Sequence, residues 1–458
     1  MARIGFIQHR LGRTDGVSLE VDKFRSVLQV EGHEVFYLSG NADVPGGNFI
    51  PELHPEHPVT ARIIRNATRS LVDYPNGDAL IAEVRLLAKK ILPGIVSFIR
   101  SYRLDVIFPN NLLSVGYNLP GMLALTQAIE ETGVQSICHC HDFWWEESGE
   151  VYPTCREVIA FYEQYAPPAM DGMIYFVINR LAQKELLDRR GLPSIVVPNV
   201  FDFDQSSWAV DGYNKDFRDA IGVGESDLVF LQATRVLDRK GIEFAIDLIA
   251  ELNQSRVRKI LNGSRLYDGR VFNAEDKIVL VCAGYVETLG ISGSYAVQLE
   301  QRAKEKNVDI RWVADQVGHS RSIRNGRKVY SLWDTYTAAD FVTYPSVWEG
   351  WGNQLIEAFF ARLPVVLFKY PVYLSDLEIC GFDVVSLGSN CTGGGQMKLR
   401  KLPEEVVSSA ALNVVELLTD PVQYQKVVDH NFAVSAANFG FPRLKKILKD
   451  LSSTWSDH

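Results

Sequence analysis

Residues 344–366 read Tyr-Pro-Ser-Val-Trp-Glu-Gly-Trp-Gly-Asn-Gln-Leu-Ile-Glu-Ala-Phe-Phe-Ala-Arg-Leu-Pro-Val-Val. The apolar run Phe341–Tyr344 predicts a strand, Gln354–Ala361 a helix, and Pro364-Val365-Val366 the start of a buried strand. Strand, loop, helix and strand in that order are the repeating unit of a parallel sheet. Glu349 and Glu357 stand with seven residues between them. Gly350 and Gly352 let the backbone approach a ligand where a side chain would block it. A helix starting near Asn353 points free N–H groups and the positive end of its dipole at an anion. Glu349 is then expected in the loop at the ligand, with Glu357 further along the helix.

The same alternation extends in both directions. Strand candidates in the first half are Ile4–Gln8, Val35–Leu38, Val106–Pro109, Ser136–His139, Ile174–Ile178 and Ile195–Val197. Those in the second half are Leu228–Gln232, Ile278–Cys282, Ile310–Val313, Phe341–Tyr344, Val365–Phe368 and Val384–Ser386. Helical spacing lies between them, as in Ser18–Val30, Glu243–Leu252 and Ala296–Lys306. Two sets of strands alternating with helices predict two Rossmann-like α/β domains, each with a parallel sheet covered on both faces. The boundary is expected near Pro198-Asn199-Val200-Phe201-Asp202, giving domains 1–200 and 201–431. The segment Phe432–Leu451 has helical spacing, and residues 255–275 and 284–295 read as insertions. Ligands in such sheets bind at the carboxyl ends of the strands, so two facing domains would enclose a cleft.

Composition narrows the function classes. The 458 residues are 47% hydrophobic and 22% charged, as in a soluble globular protein. Forty-seven Lys and Arg against 56 Asp and Glu leave a formal charge of −9, which argues against a general nucleic-acid surface. The N-terminus reads as a first strand without the long apolar stretch of a signal peptide. Six cysteines in so long a chain are no disulfide scaffold, so a reduced, cytoplasmic setting is expected. The basic amphipathic stretch Arg85–Arg103 could sit on an anionic membrane, but a helix packing on its own sheet is the favoured reading.

The 344–366 segment resembles the E-x7-E region of retaining nucleotide-sugar glycosyltransferases of family 4, which have the GT-B fold. Ala233-Thr234-Arg235-Val236-Leu237-Asp238-Arg239-Lys240-Gly241 is similar to that family's R-x4-K-G segment, which follows the first strand of the second domain. The resemblance implies two Rossmann-like domains, the first binding the acceptor and the second the nucleotide-sugar. It also implies a final helix, from about residue 432 to 458, crossing back to the first domain. Arg235 and Lys240 would clamp the diphosphate, since fixed cations ease departure of a leaving group that gathers negative charge. Arg239 is ambiguous, a solvent-facing side chain being one reading. Glu357 matches the residue that holds the ribose hydroxyls, and Glu349 the one that contacts the transferred sugar. Gly350, Trp351, Gly352, Asn353, Gln354 and Leu355 complete the expected donor-binding segment.

Cys138-His139-Cys140-His141-Asp142-Phe143-Trp144-Trp145 lies at a strand end in the first half. His141-Asp142 matches the family's His-Asp pair, whose histidine reaches the donor sugar near the reacting carbon. A metal site here is disfavoured, because along a strand the cysteines face one side and the histidines the other. Asp142, Trp144 and Trp145 are candidate acceptor contacts, the indoles offering a flat apolar platform. Gly12-Arg13-Thr14-Asp15-Gly16-Val17 resembles the family's first glycine loop, with Gly16 a candidate donor contact. After Pro364-Val365-Val366 the family's Gly-Gly-x-x-Glu is replaced by Phe368-Lys369-Tyr370-Pro371-Val372-Tyr373-Leu374-Ser375-Asp376, where the donor sugar is usually read.

The resemblance therefore implies a retaining transfer of a hexose from a nucleoside-diphosphate sugar to a hydroxyl acceptor, a saccharide or other small polar molecule. No metal and no cofactor beyond the sugar-nucleotide co-substrate is expected. The rivals are a GT-B disaccharide phosphorylase and a non-catalytic sugar-nucleotide-binding protein. The nucleotide base, sugar, acceptor and oligomeric state are left open.

Overall fold

The computed structural model describes residues 1–12, 16–146, 151–286, 291–394, 398–452 and 455. It divides into two units, Met1–Val200 with Phe439–His458, and Phe201–Asn438. The first holds a seven-stranded sheet of β1 (Arg3–Gln8), β2 (Glu34–Ser39), β3 (Asn48–Phe49), β4 (Val106–Pro109), β5 (Gln135–Cys140), β6 (Ile174–Val177) and β7 (Ile195–Val196), in the order β3-β2-β1-β4-β5-β6-β7. Every pairing in it is parallel. The second unit holds β8 (Leu228–Gln232), β9 (Ile278–Cys282), β10 (Asp309–Trp312), β11 (Phe341–Tyr344), β12 (Val365–Leu367) and β13 (Val385–Ser386), in the order β10-β9-β8-β11-β12-β13 and again all parallel. Residues of β4, β8, β9 and β11 are buried throughout, as continuous apolar strands covered on both faces must be.

Helix α1 (Gly16–Val30) covers the first sheet with Val21, Phe24, Val27 and Leu28. The stretch read as basic and amphipathic belongs to α2 (Gly77–Ser101), whose Asn76 cap accepts from Ala79 N–H at 2.9 Å. Its apolar face, including Leu80, Val84, Ile91, Ile95 and Ile99, is in the core of the first unit. Among the described residues no helix is long and apolar enough to cross a membrane.

Local chemistry departs from the expected elements in three places. The segment Phe432–Leu451 is not one helix: α3 (Pro421–Phe439) ends and α4 (Phe441–Ser452) begins around Gly440. Pro442 has no N–H to continue the helical ladder across that point. Helix α4 packs in the first unit, with Leu444, Leu448 and the following Trp455 buried against Phe6, Phe24 and Phe108. A hairpin of Ser322–Arg324 with Arg327–Ser331 lies outside the helix–strand alternation. It turns at Asn325-Gly326, where both φ are positive, +51° and +75°. Residues 255–275 contain a helix, Ser255–Leu261, and a small antiparallel pair whose Leu266 and Phe272 join the second core. Part of the 284–295 segment lies outside the described residues.

Candidate functional site

In the second sheet the strand order reverses between β8 and β11, which pair directly through Phe230–Phe341 and Leu231–Val342. Loops leaving neighbouring strands at such a reversal diverge and make room for a ligand. The loop after β8 carries 233–241 and the loop after β11 carries 345–352, so topology sets the two charged motifs side by side. Their backbones are joined where Val347 N–H donates to the Arg239 carbonyl at 2.9 Å. Gly241 has φ +59°, and a Cβ there would lie 2.4 Å from the Pro345 carbonyl oxygen. Only glycine allows that approach.

Glu349, 7% exposed, takes two cations. Its Oε1 accepts from Lys240 Nζ, and its Oε2 from Arg239 Nη1 at 2.8 Å. Arg239 Nη1 also donates to the Trp348 carbonyl at 3.0 Å, with its guanidinium 5.3 Å from the centre of the Trp348 ring. Burial alone would raise the Glu349 carboxyl, but Lys240 and Arg239 outweigh it and hold the group at about 2. Burial pulls the Lys240 ammonium down from the usual lysine value while Glu349 pushes it back up. The carboxylate is thus anionic at neutral pH, and its charge favours the protonated form of the neighbouring ammonium. Arg235, earlier on the same loop, sits 5.9 Å from the Tyr285 ring and is near enough for its charge to act on Lys240. Lys240 and Arg239 against one carboxylate leave one positive charge at the ends of β8 and β11, to which Arg235 adds from the Lys240 side.

The glycine loop is held from below. Tyr370, fully buried, donates its hydroxyl to the Trp351 carbonyl at 2.6 Å. Gly352 has φ +144°, and a Cβ there would come within 2.4 Å of the Tyr370 hydroxyl. The helix Asn353–Phe360 has no side-chain cap and no acidic residue in its first turn. Its dipole therefore meets no carboxylate of its own first turn. Glu357 is half-buried, and its Oε2 accepts from the buried Tyr336 hydroxyl at 2.9 Å. Gly350, Asn353 and Gln354 are half-buried, whereas Trp351 and Leu355 are buried.

The first sheet reverses between β1 and β4. Asn110 and Asn111 follow β4, and Asn111 adopts φ +55°, a conformation asparagine tolerates better than most residues. Its N–H donates to the His139 carbonyl at 3.0 Å. Its Oδ1 accepts from the backbone N–H groups of His141 at 2.7 Å and Asp142 at 3.1 Å, and its Nδ2 donates to Asp142 Oδ2 at 3.0 Å. The His141 ring lies 4.0 Å from that of His139, with Nε2 3.4 Å from Asn110 Oδ1. Burial lowers His141 to about 3, lowers His9 at the end of β1 to about 3, and depresses His139 strongly. At neutral pH this edge carries uncharged imidazoles.

Residues 214–375 match the family model for glycosyl transferases group 1, a span that includes both charged loops. Mannosylglucosylglycerate synthase of Petrotoga mobilis is 33% identical over 421 residues, 91% of this chain and 94% of that protein. Mannosylglucosylglycerate synthase of Thermotoga maritima is 33% identical over 446 residues, 97% of this chain and 98% of that protein. The chain belongs to the group 1 glycosyltransferases. Its fold is GT-B: a glycosyltransferase of Rickettsia africae superposes with a TM-score of 0.62 at 10% identity, over 100% of this chain and 99% of that one.

In this glycosyltransferase, Lys240 and Glu349 meet directly, and Glu357 stands beyond them on the helix. Arg239 is not the solvent-facing member of its motif: the Glu349 carboxylate and the Trp348 ring and carbonyl hold it. His141 and Asp142 belong to the other unit and are organised by Asn111. Trp144 stacks on Tyr162 at 4.9 Å and donates its indole N–H to the Ala166 carbonyl at 3.1 Å. Trp145 stacks on Phe143 at 4.4 Å and donates to Glu185 Oε2 at 2.7 Å. Both indole N–H groups are thus engaged within the first unit. Gly16 opens α1, while residues 13–15 of its loop lie outside the described residues. Sequence reasoning missed Asn111, Tyr336 and Tyr370. Only Asn111 had a local signal, the Asn-Asn pair directly after an apolar strand.

Proposed function

We propose that the protein is a retaining hexosyltransferase that moves mannose from a nucleoside-diphosphate mannose to a hydroxyl of glucosylglycerate. The observation that carries the reaction class is the Arg235–Arg239–Lys240 cluster around Glu349. Its surplus of positive charge suits a diphosphate whose negative charge grows as the sugar–oxygen bond breaks. The choice of mannose and glucosylglycerate rests on the likeness, over nearly the whole chain, to the two mannosylglucosylglycerate synthases.

In this reading the bond from the anomeric carbon to the phosphate oxygen breaks and its electron pair stays on the diphosphate. The acceptor hydroxyl attacks from the same face, and its proton passes to the departing phosphate oxygen, so configuration is kept. Lys240 and Arg239 are charged donors with hydrogens to spare beyond those given to Glu349. A carboxylate has four acceptor sites, so Glu349 can hold both cations and still receive sugar hydroxyls. Glu357, oriented by Tyr336, takes the ribose hydroxyls. Neutral His141 suits a place beside an anomeric centre that gains positive charge, where an imidazolium would repel it. No cofactor or metal enters this scheme.

The test is incubation of purified protein with uridine, guanosine and adenosine diphosphate mannose and glucose, each with glucosylglycerate. Nucleotide release with a product of retained anomeric configuration by NMR is expected. Tight donor binding with no release of nucleotide in any combination would remove the transferase reading.

A further inference from the structure

A second ion pair ties the 233–241 motif to a loop that neither motif contains. Arg400 follows β13 on a segment where Thr392 and Lys401 exchange backbone hydrogen bonds at 2.9 and 2.8 Å. Its guanidinium grips Asp238 with both arms, Nη1 to Oδ1 at 2.9 Å and Nη2 to Oδ2 at 2.7 Å. Nη1 also donates to the Asp238 carbonyl at 3.0 Å. The Arg400 backbone N–H donates to Glu243 Oε1 at 3.0 Å, and Glu243 is fully buried. Glu243 Oε2 accepts from the Tyr295 hydroxyl at 2.5 Å, and that hydroxyl accepts from Ile242 N–H at 2.9 Å. Asp238, Arg239 and Lys240 form one short 3-10 turn. The residue fixed by Arg400 is therefore the first residue of the turn that presents the two cations paired with Glu349.

We propose that Arg400 is a positioning residue for donor binding, acting through Asp238 to fix the turn that carries Arg239 and Lys240. The proposal rests on the transferase reading above. Two features make the contact more than general packing. A two-pronged guanidinium–carboxylate pair fixes direction as well as distance, which a single-point contact does not. The pair also covers a carboxylate that would otherwise stand uncompensated beside a site for a diphosphate. A tether and a simple charge effect make opposite forecasts for Asp238→Asn. Removal of a negative charge strengthens anion binding if only charge matters, and weakens it if the tether matters.

The experiment measures dissociation constants of uridine, guanosine and adenosine diphosphates by calorimetry, and KM for donor and acceptor, on wild type, Arg400→Gln, Asp238→Asn and the double variant. Both single variants are expected to bind the nucleoside diphosphate about tenfold more weakly, with acceptor KM within about twofold of wild type and the double variant no worse than the poorer single. If Asp238→Asn binds as tightly as wild type or tighter, or the two losses simply add, the proposal is overturned. Should Arg400→Gln fail to fold, Arg400→Lys keeps the charge with one point of contact and is expected to fall between. Wild-type affinity in Arg400→Lys would overturn the need for a two-pronged hold. A wild-type protein that binds none of the three nucleotides would instead bring down the transferase reading, and this proposal with it.

Discussion

The two parallel sheets end in opposite kinds of chemistry. At the ends of β8 and β11, burial is combined with charge: Glu349 is paired with both Lys240 and Arg239. At the ends of β1, β4 and β5, burial works without a counter-charge, and His9, His139 and His141 are held neutral. One edge can meet the fixed charge of a diphosphate. The other presents neutral imidazoles, which can both give and accept hydrogen bonds. The lesson is that a shared strand–loop–helix plan leaves the dielectric cost of each edge to be settled by its loop partners.

The hardest way to break this contrast is to remove a member of the charged edge. Lys240→Ala is expected to lower kcat by about 10²–10³-fold, as for loss of a main donor to developing charge. It should also cost about 1–3 kcal/mol of stability, because buried Glu349 loses one of its two cations and keeps only Arg239. Steady-state kinetics and urea melts read the two effects separately, and near-normal turnover would remove Lys240 from its assigned role.

Acidification separates the edges without mutation. A histidine lowered from 6.5 to about 3 by folding binds a proton on unfolding anywhere between those values. Each therefore reduces stability as pH falls below 6.5, by about 1.4 kcal/mol per pH unit. Glu349, lowered from 4.5 to about 2, contributes stability that is fully present above 4.5 and lost as pH falls toward 2. Denaturant melts between pH 7 and 4 should show the histidine loss first. His141→Gln should reduce proton uptake on unfolding by about one near pH 5; an unchanged slope would show that His141 is not held neutral.

A smaller effect is expected at the hinge of the neutral edge. Asn111→Ala strips the acceptor from two backbone N–H groups and should destabilise by about 1–3 kcal/mol. Its effect on turnover should exceed its effect on nucleotide affinity, since the charged edge is untouched. The smallest is Tyr370→Phe, which removes one hydroxyl from beneath the glycine loop. A loss of about 1 kcal/mol in stability is expected, with donor KM raised and acceptor KM unchanged in initial-rate kinetics. Equal changes in both KM values would show that Tyr370 does not act through the donor loop.

Much of this was legible along the chain. Twelve apolar runs coincide with strands of the two sheets, within a residue or so at their ends, because buried parallel strands need unbroken apolar sequence. The two-residue β3 and the hairpin at Asn325-Gly326 escaped that reading: neither is a long apolar run. The split at Gly440 was masked by continuous helical spacing on both sides of it. Arg235, Lys240, Glu349 and Glu357 were singled out through the resemblance of their segments to the family's motifs. Arg239 could not be assigned that way, since whether an arginine faces water or a buried carboxylate depends on a residue 110 positions away.

Sequence alone determined the α/β architecture, the division into two strand sets and the identity of the charged loops, because apolar periodicity and glycine placement are local properties. Only the tertiary structure decided that β8 and β11 are neighbours, that Glu349 holds Arg239 and Lys240 together, and that Asn111, Tyr336, Tyr370 and Arg400 bond to Asp142, Glu357, the Trp351 carbonyl and Asp238. Those relations follow from strand order and burial. Strand order joins residues distant in sequence, and burial turns an ordinary carboxylate, lysine or histidine into one whose charge depends on what packs against it.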